Sequence, residues 1–161
     1  MLQIRPGDLV AIERDGLYVL AAILTRQLLF GGHWCFLAHH ARHELPKDEA
    51  DERISPGYNA FVDFIGPKRE GRIVRLRRSA EFSSLYGASL LQQPPLEDEK
   101  NFRIWQWKDD RRETVEFVRI TTSPTKRERH CAHYCCFSAD FAWELAARAW
   151  TPDQPVWTAA T

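Results

Sequence analysis

With 161 residues, 44% of them hydrophobic and 12% aromatic, the chain has the size and composition of one domain with a cohesive core, which excludes a disordered polymer. Its 22 Lys and Arg balance 22 Asp and Glu, and a formal net charge of zero argues against a protein whose main task is neutralising nucleic-acid phosphates. The N-terminus, Met1-Leu2-Gln3-Ile4-Arg5-Pro6-Gly7-Asp8, lacks the apolar stretch and small-residue cleavage site of a secretory signal, and the apolar run Leu17 to Leu24 is too short to cross a bilayer.

In chain order, Pro6-Gly7-Asp8 reads as a turn that launches a strand, because Pro fixes its own backbone angle and Gly relaxes the next. Leu9 to Glu13 and Leu17 to Leu24 flank Arg14-Asp15-Gly16, where Asp-Gly supplies the positive backbone angles of a tight hairpin. After Gly31-Gly32, the aromatic-rich stretch His33 to Ala38 predicts a third strand. Three such strands suggest a strongly bent antiparallel sheet or an SH3-like partial barrel. The acidic, proline-marked segment Glu44 to Gly57 reads as an exposed loop.

Phe61 to Ile65 and Gly71 to Arg78 predict two further strands, separated by a Gly66-Pro67 breaker. In the second, period two places Val74 and Leu76 on one face and Ile73, Arg75 and Arg77 on the other. Phe82, Leu85, Tyr86 and Leu90 have helix-like spacing within Glu81 to Gln93, against which Gly87 and the serines count. A second acidic loop, Pro94 to Lys100, precedes a hairpin of Phe102 to Trp107 and Thr114 to Thr121, with Arg103, Trp105 and Trp107 on one side. A last strand, His130 to Phe137, leads to Ser138 as N-cap of a helix running to about Trp150, with Asp140 near its positive end and Phe141, Leu145 and Ala149 facing inward. The expectation is a mainly β, α+β single domain over residues 1–161, with a C-terminal helix and a surface tail at 151–161.

All histidines and cysteines fall in two segments, His33 to His43 and His130 to Cys136. If the second is one strand, Cys131, His133 and Cys135 share a face and, with Cys35 or a histidine of the first segment, offer the N/S donor set that zinc prefers. The spacing is not a usual knuckle pattern, and buried cysteines among Trp34, Phe36, Tyr134 and Phe137 account for it more simply, so no metal or other cofactor is expected. With no export signal the cysteines read as free thiols in a cytoplasmic, reducing setting. A Cys/His nucleophile pair is formally available, but no Gly-rich phosphate loop, nucleophile elbow or His-Glu-x-x-His helix occurs, and an enzyme is not expected.

Lys68, Arg69, Arg72, Arg75, Arg77 and Arg78 form a basic stretch that, with Trp105 and Trp107, offers a stacking surface for single-stranded nucleic acid; a solvated strand face is the simpler reading. The acidic residues Asp48, Glu49, Asp51, Glu52, Glu97, Asp98 and Glu99 can meet a basic partner surface and speed association, or merely sit in water.

The opening Arg5-Pro6-Gly7-Asp8-Leu9-Val10-Ala11-Ile12, then Asp15-Gly16-Leu17-Tyr18 running into Ala21-Ala22-Ile23-Leu24, resembles the start of immunity protein family twenty-six of bacterial polymorphic toxin systems. Phe61 to Ile65 and Gly71 to Leu76 follow in a compatible order, and the resemblance is carried by about the first quarter of the chain. It implies a cytoplasmic antitoxin that binds a cognate toxin domain, possessed of a basic surface such as that of a hydrolase, and blocks it sterically without catalysis. On that reading the acidic loops supply rim contacts, and Tyr58, Trp105 and Trp107 are candidate anchors.

Overall fold

Asp15 and Gly16 both take positive φ, 53° and 76°, so the first hairpin closes through a two-residue turn with Arg14 opposite Leu17. From this seed grows a six-stranded sheet in the order β10-β4-β3-β2-β1-β5. Its strands are β1 (Asp8–Arg14), β2 (Leu17–Arg26), β3 (His33–Ala38), β4 (Gly57–Asp63), β5 (Ile73–Arg78) and β10 (Cys136–Ser138). A second sheet has the order β8-β7-β6-β9, built from β6 (Leu90–Gln93), β7 (Phe102–Trp107), β8 (Val115–Thr121) and β9 (Ala132–His133). Among the described residues there are also three short α-helices: α1 (Ile65–Arg69), α2 (Lys126–His130) and α3 (Ala139–Ala147). The computed structural model describes residues 2–26, 31–85, 87, 89–95 and 98–154. The protein is mainly β with a C-terminal helix, as its composition and patterning predict.

The two sheets and α3 form three layers. One face of the large sheet, with Val10, Val19, Ile23, Cys35 and Val62, packs on Ala142, Trp143, Leu145 and Ala146 of α3. The other face, with Leu9, Leu20, Trp34 and Phe61, packs on Leu91, Trp107 and Ala132 of the small sheet. In β2, successive residues alternate between these two cores from Val19 to Leu24. That explains the unbroken apolar run: a strand buried on both faces has no wet side to supply polar residues.

Four local expectations are corrected. The stretch 81–93 is not one helix: a 3-10 turn at Ala80–Leu85 gives way to β6, because Gly87 takes φ of 78° and Leu90 to Gln93 find ladder partners in β7; Tyr86 lies outside the described residues. Gly66-Pro67 does not break the chain but lies in the first turn of α1, where backbone N–H groups lack intrahelical partners anyway. In β5 the register against β1 skips Leu76, and this bulge carries Arg77 to the face of Phe82, away from Ile73 and Arg75. In α3, which ends at Ala147, Phe141 is only partly buried and Ala149 is an exposed residue past the helix with φ of 51°. The inward set is instead Ala139, Ala142, Trp143, Leu145 and Ala146. Ser138 caps α3 as expected, its hydroxyl accepting from the Phe141 amide at 3.1 Å.

Candidate protein-interaction surface

The segment 130–137 does not form one strand. His130 ends α2, Ala132–His133 pair in parallel with β6 of the small sheet, and Cys136–Ser138 pair in parallel with β4 of the large one. The chain passes between sheets inside this segment, so Cys131, His133 and Cys135 lose the common face that a single strand would give them. Among the described residues no group of three or more His, Cys, Asp or Glu is placed to hold a metal. Burial raises every thiol: Cys131 and Cys135 to about 12, Cys136 to about 11, and Cys35 well above its ordinary value. A thiolate nucleophile needs the opposite shift.

His133 is buried and its Nε2 donates to the Pro152 carbonyl at 3.0 Å. Burial lowers its pKa, and burial with the neighbouring His39 and Arg42 lowers that of His40. A histidine whose folded pKa lies below its unfolded value is protonated first in the unfolded chain. Its contribution is fully present above the unfolded value of about 6.5 and is lost as pH falls toward the folded pKa. The urea midpoint is therefore expected to fall between about pH 7.5 and pH 5.5, and His133→Gln, which keeps a donor, to make that fall shallower. An unchanged slope in the variant would remove His133 as a cause.

Part of the expected acidic rim is engaged in contacts within the protein. Asp48 accepts from the Asp51 amide at 2.9 Å, and the Asp51 carboxylate, its pKa lowered chiefly by its hydrogen bond from Arg42, binds that guanidinium at 2.7 Å. Glu52 is paired with Arg77, while Glu49 is exposed. Asp98 and Glu99 are exposed on the second loop, and Glu97 lies outside the described residues.

Two of the three expected anchors are inside. Tyr58 packs edge-on against Trp150 at 5.1 Å in the helix-side core, and Trp107 lies between the sheets against Trp34 and Phe61. Neither can meet a partner while the chain is folded. The basic stretch is likewise partly neutralised: Arg72 pairs with Glu70 and Asp140, Arg77 with Glu52, and Arg78 with the buried Asp8. Arg75, Arg77 and Arg78 lie in β5 of the large sheet and Lys68 and Arg69 in α1, whereas Trp105 and Trp107 belong to the small sheet and Trp107 is buried.

Trp105 is the anchor that remains partly exposed. Its ring stacks on Tyr134 at 4.7 Å and meets Phe117 edge-on at 5.4 Å, while its Nε1 donates to Gln93 Oε1 at 3.0 Å. Trp105 lies opposite Phe117, and Arg103 lies opposite Ile120. Residues two apart share a sheet face, so Arg103, Trp105, Phe117 and Ile120 form one surface, with Glu99 joined to it through Arg103 at 3.2 Å.

Phe117 is 48% exposed, Val118 42% and Ile120 54%, three of the five large apolar side chains exposed among the described residues. All three lie on β8, the outer edge of the small sheet. The chain matches no family model, no curated protein and no solved structure. The reading of this surface therefore rests on its own geometry. In the β7–β8 ladder Ile104 faces Arg119 and Trp105 faces Phe117, so Val118 is an extra, unpaired residue. A bulge of this kind twists an edge strand and spoils its ladder for pairing with another chain, while re-aiming side chains outward. Arg119 is tied back to α2 by two contacts to Glu128, at 2.9 and 2.7 Å, which steadies the strand. No signal in the sequence marked Phe117 or Ile120 as exposed, because an apolar residue on a strand reads as core.

Proposed function

We propose that this chain is a binding protein, specifically a cytoplasmic immunity protein that seats a cognate bacterial toxin domain on the Trp105, Phe117 and Ile120 surface and blocks it sterically. The observation that carries the reading is the concentration of exposed apolar side chains on one bulged edge strand. Solvent gives no reason to keep Phe117, Val118 and Ile120 exposed together, whereas a partner that buries them gains hydrophobic free energy. A rigid aromatic beside them, rimmed by Arg103 and Glu99, has the make-up of an interface centre with a polar edge. The resemblance of residues 5–24 to immunity proteins points to the partner class, and the raised thiols disfavour the thiol-enzyme alternative. Among the described residues no helix is long and apolar enough to cross a membrane.

Co-expression with the toxin encoded beside its gene is expected to protect growth, and Phe117→Asp with Ile120→Asp to abolish protection. Two lost hot-spot contacts correspond to about 3–4 kcal/mol or more, a several-hundred-fold weaker Kd. Both side chains are half exposed, so the urea midpoint of the variant should stay near that of the parent. Wild-type affinity in the double variant would overturn the assignment of this surface. Salt-sensitive retention on heparin would instead favour nucleic acid.

A further inference from the structure

Strand β8 ends the small sheet, and no described strand pairs with its outer side. From Glu116 to Ile120 five consecutive residues are exposed, so side chains of both faces reach solvent along this edge. An unpaired edge is a template for a further strand. The chemistry of β8 reads alike from either end: about a centre between Phe117 and Val118, Val115 matches Ile120, Glu116 matches Arg119 with opposite charge, and Phe117 matches Val118. In an antiparallel pair of two copies related by a twofold axis through that centre, these residues stand opposite one another, and each contact occurs twice.

Such pairing requires opposed residues to lie on one face of the sheet. In a regular strand Glu116 and Arg119, three apart, point to opposite faces, and the match would be lost. The bulge at Val118 removes that obstacle. Glu116 lies opposite Gln106 and Arg119 opposite Ile104, two residues of β7 that share a face, while Val115 and Ile120 lie opposite Trp107 and Arg103 on the other. A strand of regular register therefore mismatches this edge on one side of Val118, whereas a second copy carries the same extra residue and changes register at the same place. The charged groups also have capacity for the contact. Arg119 gives Nε and Nη2 to Glu128, which leaves Nη1 to donate, and the Glu116 carboxylate accepts from the neutral amide of Gln106.

We propose that two copies of this chain associate edge to edge through β8, antiparallel about a twofold axis between Phe117 and Val118, joining their four-stranded sheets into one. Glu116 then meets the partner's Arg119, Val115 packs on the partner's Ile120, and Phe117 on the partner's Val118. Apolar side chains that the single chain leaves in water are partly covered. The face that carries Trp105 stays open and lies side by side in the two copies, so the pairing goes beyond the toxin reading and does not depend on it.

Sedimentation equilibrium of the full chain from about 1 µM to about 1 mM is expected to show a monomer–dimer equilibrium with Kd of about 10–100 µM, as a small interface gives. Glu116→Arg sets like charges opposite each other in both charge pairs and should weaken association by about 10-fold or more. Arg119→Glu should do the same alone. An equimolar mixture of the two variants should associate again, because a mixed pair restores both attractions. Should Arg119→Glu fail to fold, Val118→Asp decides: Val118 is exposed, so the variant folds, and a carboxylate beside the axis must abolish the dimer. A chain that stays monomeric to about 1 mM, a dimer unaffected by Glu116→Arg or Val118→Asp, or no association in the mixture of folded variants would each overturn the pairing. Glu116 lies on the face away from Trp105, so Glu116→Arg keeps protection against the toxin, and the two assignments fail separately.

Discussion

Trp34→Ala is expected to destabilise the fold by about 3–5 kcal/mol, the cost of removing a fully buried tryptophan and leaving a hole that its surroundings fill only in part. Trp34 has no exposed surface. Its ring lies 4.7 Å from Phe61 and 5.4 Å from Trp107, and Phe61 and Trp107 are themselves 5.6 Å apart. The first two residues belong to the large sheet and Trp107 to the small one, so this triangle of rings is a principal joint between the layers. A domain of this size is stable by only about 5–15 kcal/mol, so the variant should approach the limit of folding, with its urea midpoint sharply lowered. Hydrogen exchange should show β6 to β9 losing protection before β1 to β3, because the small sheet depends on the joint while the large sheet keeps α3 on its other face. Uniform loss of protection would mean that the layers fold as one unit. Trp105→Ala serves as the control: its ring is partly solvated, and its loss should cost less stability.

The second large effect is expected from one methyl group. In Gly57→Ala the new Cβ falls inside contact distance of the Leu37 carbonyl oxygen and lies 2.7 Å from the Ile54 carbonyl oxygen. A flexible side chain could swing away from such a clash; two backbone oxygens cannot. Gly57 pairs with Ala38 of β3, so a shift there is passed directly to that strand. Overpacking typically costs about 1–3 kcal/mol, and with no soft partner the upper end or beyond is expected, which lowers Tm by about 6–12 °C in a chain of this length. Gly66→Ala is the matched comparison. Nothing lies within 4 Å of a Cβ there, and the residue sits in α1, so the same added methyl should be neutral or stabilise by up to about 1 kcal/mol. Equal effects at the two positions would discount the steric account.

Some of this fold is legible in the sequence alone. Asp15-Gly16 dictated a hairpin because a two-residue turn demands positive φ at both positions, and that preference acts within four residues. The same local logic holds for β3, opened by a glycine turn, and for Ser138, whose hydroxyl reaches only to the Phe141 amide. The hairpin of β7 and β8 was equally readable, since Asp109 binds Thr114 and the Glu113 amide within its own turn. The candidate surface was legible in part: Trp105 and Glu99 were named from residue type, whereas Tyr58 and Trp107 carry the same chemistry and are buried.

The sequence by itself determined the turns, the caps, the mainly β class and the presence of a core, because each depends on neighbours along the chain or on composition. Tertiary structure alone decided which face of each strand is covered, where the bulges at Leu76 and Val118 fall, and how 130–138 divides between two sheets. The physical reason is that burial belongs to pairs of elements distant in sequence. Phe61 and Phe117 have the same intrinsic wish to leave water, and only the placement of β4 between two layers and of β8 at an open edge makes one a core residue and leaves the other half exposed.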